Sequence, residues 1–221
     1  MGMFFGLLNN RGTPTPVVTS NIKYGRLYNW PAISDPLFAP AGWHVPTKAE
    51  LQTLINEIGS ELGGGKLKTS GLDYWLTPNE GATNELGFNG RGSGFRSSVG
   101  FDFIKNSAYI IGNTINVDII SFLSFNYVNA QCAIIDAINN IGVSVRLIKD
   151  NSSPVPSVTD LDGNIYRTCK IGDQVWIADN WACTKLNDDT PIPNVTDGPT
   201  WVLLNTAAYC NYDNDLGNVF L

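Results

Sequence analysis

From Thr47 to Gly59 the apolar positions recur at helical spacing. Leu51, Leu54, Ile55 and Ile58 fall at i, i+3, i+4 and i+7, one stripe along a helix. Thr47 is placed to accept a hydrogen bond from the Glu50 backbone N–H, and Glu50 to reach back to the Thr47 N–H, with Trp43 and Pro46 fixing the approach of the chain. Gly59 stands where a left-handed C-terminal cap is needed. The pattern predicts an amphipathic helix over 47–58 packed on something flat. Between 107 and 148 the period changes to two, in Tyr109-Ile110-Ile111, Ile115-x-Val117-x-Ile119, Phe122-x-x-Phe125, Cys132-Ala133-Ile134-Ile135 and Val143-x-Val145-x-Leu147. These predict antiparallel strands, with turns at Gly112-Asn113, Asn129-Ala130 and Asn139-Asn140. Further on, the turn Asp160-Leu161-Asp162-Gly163-Asn164 leads into residues 165–171, and Gly172-Asp173 turns the chain into 174–178, a hairpin.

Two stretches read as connections. Asn151-Ser152-Ser153-Pro154-Val155-Pro156-Ser157 is a linker by composition. Near the start, Thr13-Pro14-Thr15-Pro16 favours an extended segment, preceded by the apolar cluster Met3, Phe4, Phe5, Leu7 and Leu8. That cluster has no basic residue before it, is broken by glycine and lacks a small-x-small cleavage site, so it is not read as a signal peptide. It is read instead as an anchoring arm, residues 1–23, that docks on a partner or a neighbouring subunit.

The chain has 221 residues, 43% of them hydrophobic, enough for one sizeable core in one domain or two small ones. Low charge (15%), 22 glycines and 12 prolines suggest a loop-rich fold. A net charge of -6 and a pI near 4.6 argue against a nucleic-acid partner, whose phosphates need clustered Lys and Arg. No run approaches membrane-spanning length, so no membrane insertion is expected.

Catalytic and metal motifs are weak. Cys132, Cys169, Cys183 and Cys210 show no CxxC or Cys/His spacing and are expected to be small buried residues, with a disulfide left open. The single histidine, His44, is expected to be structural and hydrogen-bonded. Leu62-Gly63-Gly64-Gly65-Lys66 lacks a phosphate-loop frame and follows a helix instead of preceding one. Arg96 is expected to ion-pair or bond backbone carbonyls. The clusters Asp160, Asp162, Asn164 and Asp213, Asn214, Asp215 offer alternating oxygens, but turn chemistry explains them without calcium.

Several words carry a resemblance. Tyr24-Gly25-Arg26-Leu27-Tyr28-Asn29-Trp30, Gly42-Trp43-His44-Val45-Pro46-Thr47-Lys48-Ala49-Glu50-Leu51, Gly64-Gly65-Lys66-Leu67-Lys68, Trp75, Thr83-Asn84-Glu85-x-Gly87-Phe88 and Ser144-Val145-Arg146-Leu147-Ile148-Lys149-Asp150 resemble the second part of the Fibrobacter succinogenes major paralogous domain. Asp162-Gly163-Asn164-Ile165-Tyr166-Arg167, Gln174-Val175-Trp176-Ile177-Ala178-Asp179-Asn180-Trp181 and Ala208-Tyr209-Cys210 resemble its first part. The family is related to the formylglycine-generating-enzyme and C-type-lectin-like folds. The resemblance implies an α+β, lectin-like domain over 24–221 with its parts in permuted order: 24–150 the second family part, 151–157 a linker, 158–221 the first. A circular permutation is easy where a fold brings its ends together, and the seven linker residues span roughly 20 Å when extended. Exchange of the second segment with a neighbouring subunit is the alternative. The family's Trp-Ser-Ser-Thr word near Tyr109 and its Cys at the place of Leu147 are missing here.

Formylglycine-generating enzymes work through a pair of cysteines, which residues 144–149 lack, so no catalytic residue, cofactor or metal is assigned and the chain is expected not to be an enzyme. The expectation is a bacteriophage virion protein, a head fibre or capsid decoration. Its arm would bind capsid or other virion proteins, and its lectin-like domain would face a host glycan or protein. A homo-oligomer is expected. A secreted bacterial adhesin or carbohydrate-binding module at the cell surface is the alternative, and a modifying enzyme the third.

Overall fold

A computed structural model describes residues 20–116, 119–138 and 140–221. The anchoring residues Met3, Phe4, Phe5, Leu7 and Leu8 lie outside the described residues. The chain is mostly β with few helices, an α+β fold. In order it forms β1 (Leu27–Tyr28), α1 (Trp30–Ile33), β2 (Trp43–His44), α2 (Lys48–Glu57), β3 (Ser93–Ser97), β4 (Gly100–Ile104), β5 (Ser107–Asn116), β6 (Ile119–Asn126), β7 (Cys132–Ile138), β8 (Ile148–Lys149), β9 (Ser157–Thr159), β10 (Ile165–Ile171), β11 (Gln174–Ile177), α3 (Gly198–Val202) and β12 (Tyr209–Cys210).

Helix α2 forms as its sequence dictates. Thr47 accepts from the Glu50 N–H, the Glu50 carboxylate accepts from the Thr47 N–H, and Gly59 takes a φ of +98° just past the last turn. Leu51, Leu54, Ile55 and Ile58 are all buried. The flat partner is the antiparallel sheet β5-β6-β7. One expected turn is absent: β5 continues through Gly112-Asn113, its register with β6 shifts between Gly112 and Asn116, and the strand expected from Ile115 through Ile119 is divided between β5 and β6. A Cβ on Gly112 would sit 2.7 Å from Leu51 Cδ1. The glycine is there because the helix crosses the strand at that point, not because the chain reverses. The turn at Asn129-Ala130 is present, with the Asn126 and Asn129 side chains accepting from Val128 and Gln131. Residue 139 lies outside the described residues.

Residues 143–147 form isolated bridges, Val143 with Tyr28 and Ser144 with Ile110, before the two-residue strand β8. They are wedged between two sheets and alternate their partners, which breaks the ladder a regular strand would keep.

The second sheet is built from both sides of the 151–157 connection, in the order β2-β8-β11-β10-β9, all antiparallel. Trp176 stands opposite Ile148, and His44 opposite Ile148 on its other side. The apolar interior follows the same mixing. One cluster joins Tyr28, Val45, Phe122 and Val145 to Tyr166, Val175 and Trp181. Another joins the α2 stripe and Phe88 to Ile171 and Trp176. Two short helices escape periodicity because they are capped instead of striped: α1 by Asn29 with Pro31 in its first turn, and α3 by Asp197 with Pro199.

Candidate functional site

The residues that lead into the N-terminal segment are bound unusually densely. Ile22, assigned to the arm by sequence, is fully buried and bridges Phe220, so the packed domain begins before residue 24. The Lys23 N–H donates to Val219 O (2.7 Å), the Tyr24 N–H to Asn218 O (3.1 Å) and the Leu221 N–H to Asn21 O (2.8 Å). From inside, the Arg91 guanidinium donates to the carbonyls of Ile22 and Lys23, and the Asn180 amide donates to Tyr24 O (2.8 Å). Beside this root lies an open apolar shelf lined by Lys23, Leu216, Gly217, Phe220 and Leu221.

Behind the root stands a cationic knot. Arg91 and Arg167 pair with the fully buried Asp179, and the charge of Arg146 also acts on it. Burial opposes ionisation of that carboxyl, but the Arg167 hydrogen bonds and the three guanidinium charges hold it below the usual carboxylate range. Arg146 is wholly buried; it donates to Asn180 Oδ1 (2.6 Å), Phe88 O (2.6 Å) and Asn89 O (2.9 Å), and burial lowers its pKa to about 9. Arg91 and Arg146 act as cross-links between segments, since they donate to backbone carbonyls of loops, while Arg167 donates to the Asp179 carboxylate. Arg96 behaves as its sequence suggested, donating to Val195 O (2.6 Å) and Thr196 O (2.9 Å) over the Trp201 ring. The knot around Asp179 was not anticipated. Its only signal was the residue types themselves, because the partners lie up to 88 positions apart, from Arg91 to Asp179.

Asp160, Asp162 and Cys183 bring ligand-type atoms within 4.8 Å of one another. Three of the four carboxylate oxygens already accept hydrogen bonds. Asp160 accepts from the backbone of Asp162 and Asn164, from the Asn164 amide and from the Tyr166 hydroxyl. Asp162 accepts from the Thr184 N–H and hydroxyl. Burial pushes the Cys183 thiol up to about 12, so it is protonated at neutral pH. Turn chemistry accounts for the cluster, and a protonated thiol is a poor third ligand for a metal. The adjacent pocket, walled by Phe38 and Trp181, measures about 40 Å³, room for water and not for a sugar ring.

The other chemistry-bearing residues are also committed to structure. Among the described residues all four cysteines are free thiols, and burial raises Cys132 and Cys210 to about 11 and Cys169 to about 12. His44 lies between Asp150 (2.7 Å) and Glu50 (2.9 Å), and Glu50 is at the same time the capping residue of α2. Asp213 and Asn214 take positive φ in a 3-10 turn, and Asp215 caps the next one. The glycine run Gly63-Gly64-Gly65 lies in a 3-10 turn, Glu61–Lys66, pressed backbone to backbone on Gly81 and Gln131. Lys68 is fully buried and donates to the carbonyls of Glu80, Asn126 and Asn129.

The fold and this pattern of conserved-looking words meet in one comparison: residues 15–149 match the Fibrobacter succinogenes major domain. The match spans more than half of the chain, which therefore belongs to that family. It begins at residue 15, inside the stretch 1–23 that sequence alone set apart from the domain, and runs through β8. Neither the curated proteins nor the solved structures gave a match.

Proposed function

We propose that this chain is a non-enzymatic structural protein of a bacteriophage particle, a head fibre or capsid decoration. Residues 1–19 attach it, and the folded domain is displayed outward. The observation that carries the proposal is the root of the arm. Seven hydrogen bonds, two of which make the Ile22–Phe220 bridge, fasten residues 21–24 to the C-terminal segment, to Arg91 and to Asn180. A tether joined this way passes load into the core instead of peeling a strand away. An apolar segment that buries two or three large side chains on a partner gains roughly 1.5–3 kcal/mol for each, and many copies on one particle multiply the effect.

In this proposal residues 22–221 are one C-type-lectin-like domain, permuted so that the family's opening words follow its continuation. Support comes from the sheet order β2-β8-β11-β10-β9, in which β8 of the first segment pairs with β11 of the second to make one sheet, and from the pairing of Leu221 and Phe220 with Asn21 and Ile22. The protonated, buried thiols favour a display role over copper-dependent oxidation, which needs a thiolate pair.

The test is attachment. Virions assembled with full-length chain are expected to carry it after purification, while chain lacking residues 1–12 folds with unchanged circular dichroism and is absent from them. Normal occupancy by the truncated chain would place the anchor elsewhere. Recovery of the native protein from the bacterial envelope instead of virions would favour a surface adhesin.

A further inference from the structure

The sheet β5-β6-β7 ends on a long edge. β7 keeps an unbroken register with β6, from Cys132 opposite Phe125 to Ile138 opposite Ile119, and contains neither proline nor bulge. The turn Glu61–Lys66 covers only its beginning, where a Cβ on Gly64 would touch Gln131 and Cys132 at 2.7–2.8 Å. From Ala133 to Ile138, apart from the ladder with β6, no backbone hydrogen bond from the described residues reaches the strand. Ala133 is exposed, Ile135 is 41% exposed and Ile138 62%. The one charge on the strand, Asp136, is neutralised by Lys48 Nζ (2.7 Å) and bonded by the Ser121 hydroxyl. An open apolar edge without a guarding charge is a template for another strand.

The geometry points to a second copy of this chain as that strand: β7 pairs antiparallel with the partner's β7 about a two-fold axis at Ile135. The free stretch reads Ala133-Ile134-Ile135-Asp136-Ala137, nearly the same in both directions. About Ile135, Ala133 faces the partner's Ala137 and Ile135 faces the partner's Ile135 on one side of the sheet, with Ile134 against the partner's Asp136 on the other. Centring the axis on Asp136 would set like charges directly opposite, which is disfavoured. Self-complementarity of this kind is what an isologous interface requires. With a net charge of -6 on each chain, copies repel in general, and the neutralised β7 edge is where they can approach. The result is a continuous six-stranded sheet that leaves the root of the arm free. The inference is independent of what the arm attaches to.

Sedimentation of the full chain tests it. Wild type is expected at twice its 24.1 kDa mass at roughly 10 μM. Ile135→Lys and Ile135→Glu are each expected to be monomers with dimer affinity reduced about tenfold or more, with unchanged circular dichroism. Mixing the two variants should restore a dimer containing one of each, because only the register about Ile135 sets the new charges face to face. A monomeric wild type, a variant that still dimerises as wild type does, or no dimer on mixing would overturn the proposal.

Discussion

His44 shows how a residue of catalytic type is spent on structure. Burial works against its charged form, but the hydrogen bonds to Asp150 and Glu50 and the two carboxylate charges outweigh it, so its pKa stands above the ordinary 6.5. A raised histidine pKa contributes stability that is fully present below about pH 6.5 and is lost as pH rises through the folded value. The ring is 37% exposed, so solvent screening keeps the contribution under about 1 kcal/mol. Denaturant unfolding of wild type and His44→Asn is expected to differ most below about pH 6.5 and to converge as pH climbs above the raised pKa of the folded state. A difference that widens with pH would contradict this charge state. The sequence suggested that His44 was structural because it is the only histidine, but not its partner Asp150, which is 106 positions away. Arg146 and Asp179 were beyond reach for the same reason: a buried guanidinium is recognisable only by the carbonyls it meets.

Helix α2 is the element on which sequence and structure agree most closely, because everything it needs is local. The capping box lies within four residues and the apolar stripe within eight. Thr47→Ala is expected to cost about 1 kcal/mol through the lost cap. Leu54→Ala is expected to cost about 2–5 kcal/mol, since Leu54 is fully buried among Leu51, Ile110 and Leu123 in one cluster. Urea titrations measure both, and a Leu54→Ala loss below 1 kcal/mol would mean that the helix is loosely seated. Strand β5 marks the limit of local inference. Glycine beside asparagine is strong turn chemistry, yet Gly112 continues the strand because helix α2 needs a residue without a side chain where it crosses.

At the scale of the whole molecule, no apolar cluster belongs to one segment. Leu27 packs with Trp201 and Tyr212, Val145 with Tyr166 and Trp181, and the α2 stripe with Trp176. A chain ending at residue 157 would leave β8 without β11 and uncover both larger clusters, so it is expected to expose apolar surface, bind a hydrophobic dye and show no cooperative thermal unfolding. Adding residues 158–221 as a separate chain should restore cooperativity. Cooperative unfolding of residues 20–157 alone would show that a single segment closes its own core.

By itself the sequence determined what is encoded over short distances: helix α2 with its caps, the turn at Asn129-Ala130 that leads into β7, the hairpin of β10 and β11, and the family words between residues 24 and 150. Spacing and capping are properties of neighbours, and neighbours are visible in a string. Tertiary structure alone decided which strands share a sheet, that Ile22 belongs to the packed domain, that Gly112 is a crossing point, and that Arg91 and Arg167 meet on Asp179. Those outcomes depend on surfaces brought together from distant positions, where burial forces each polar group to find a partner and the chain order says nothing about which one it finds.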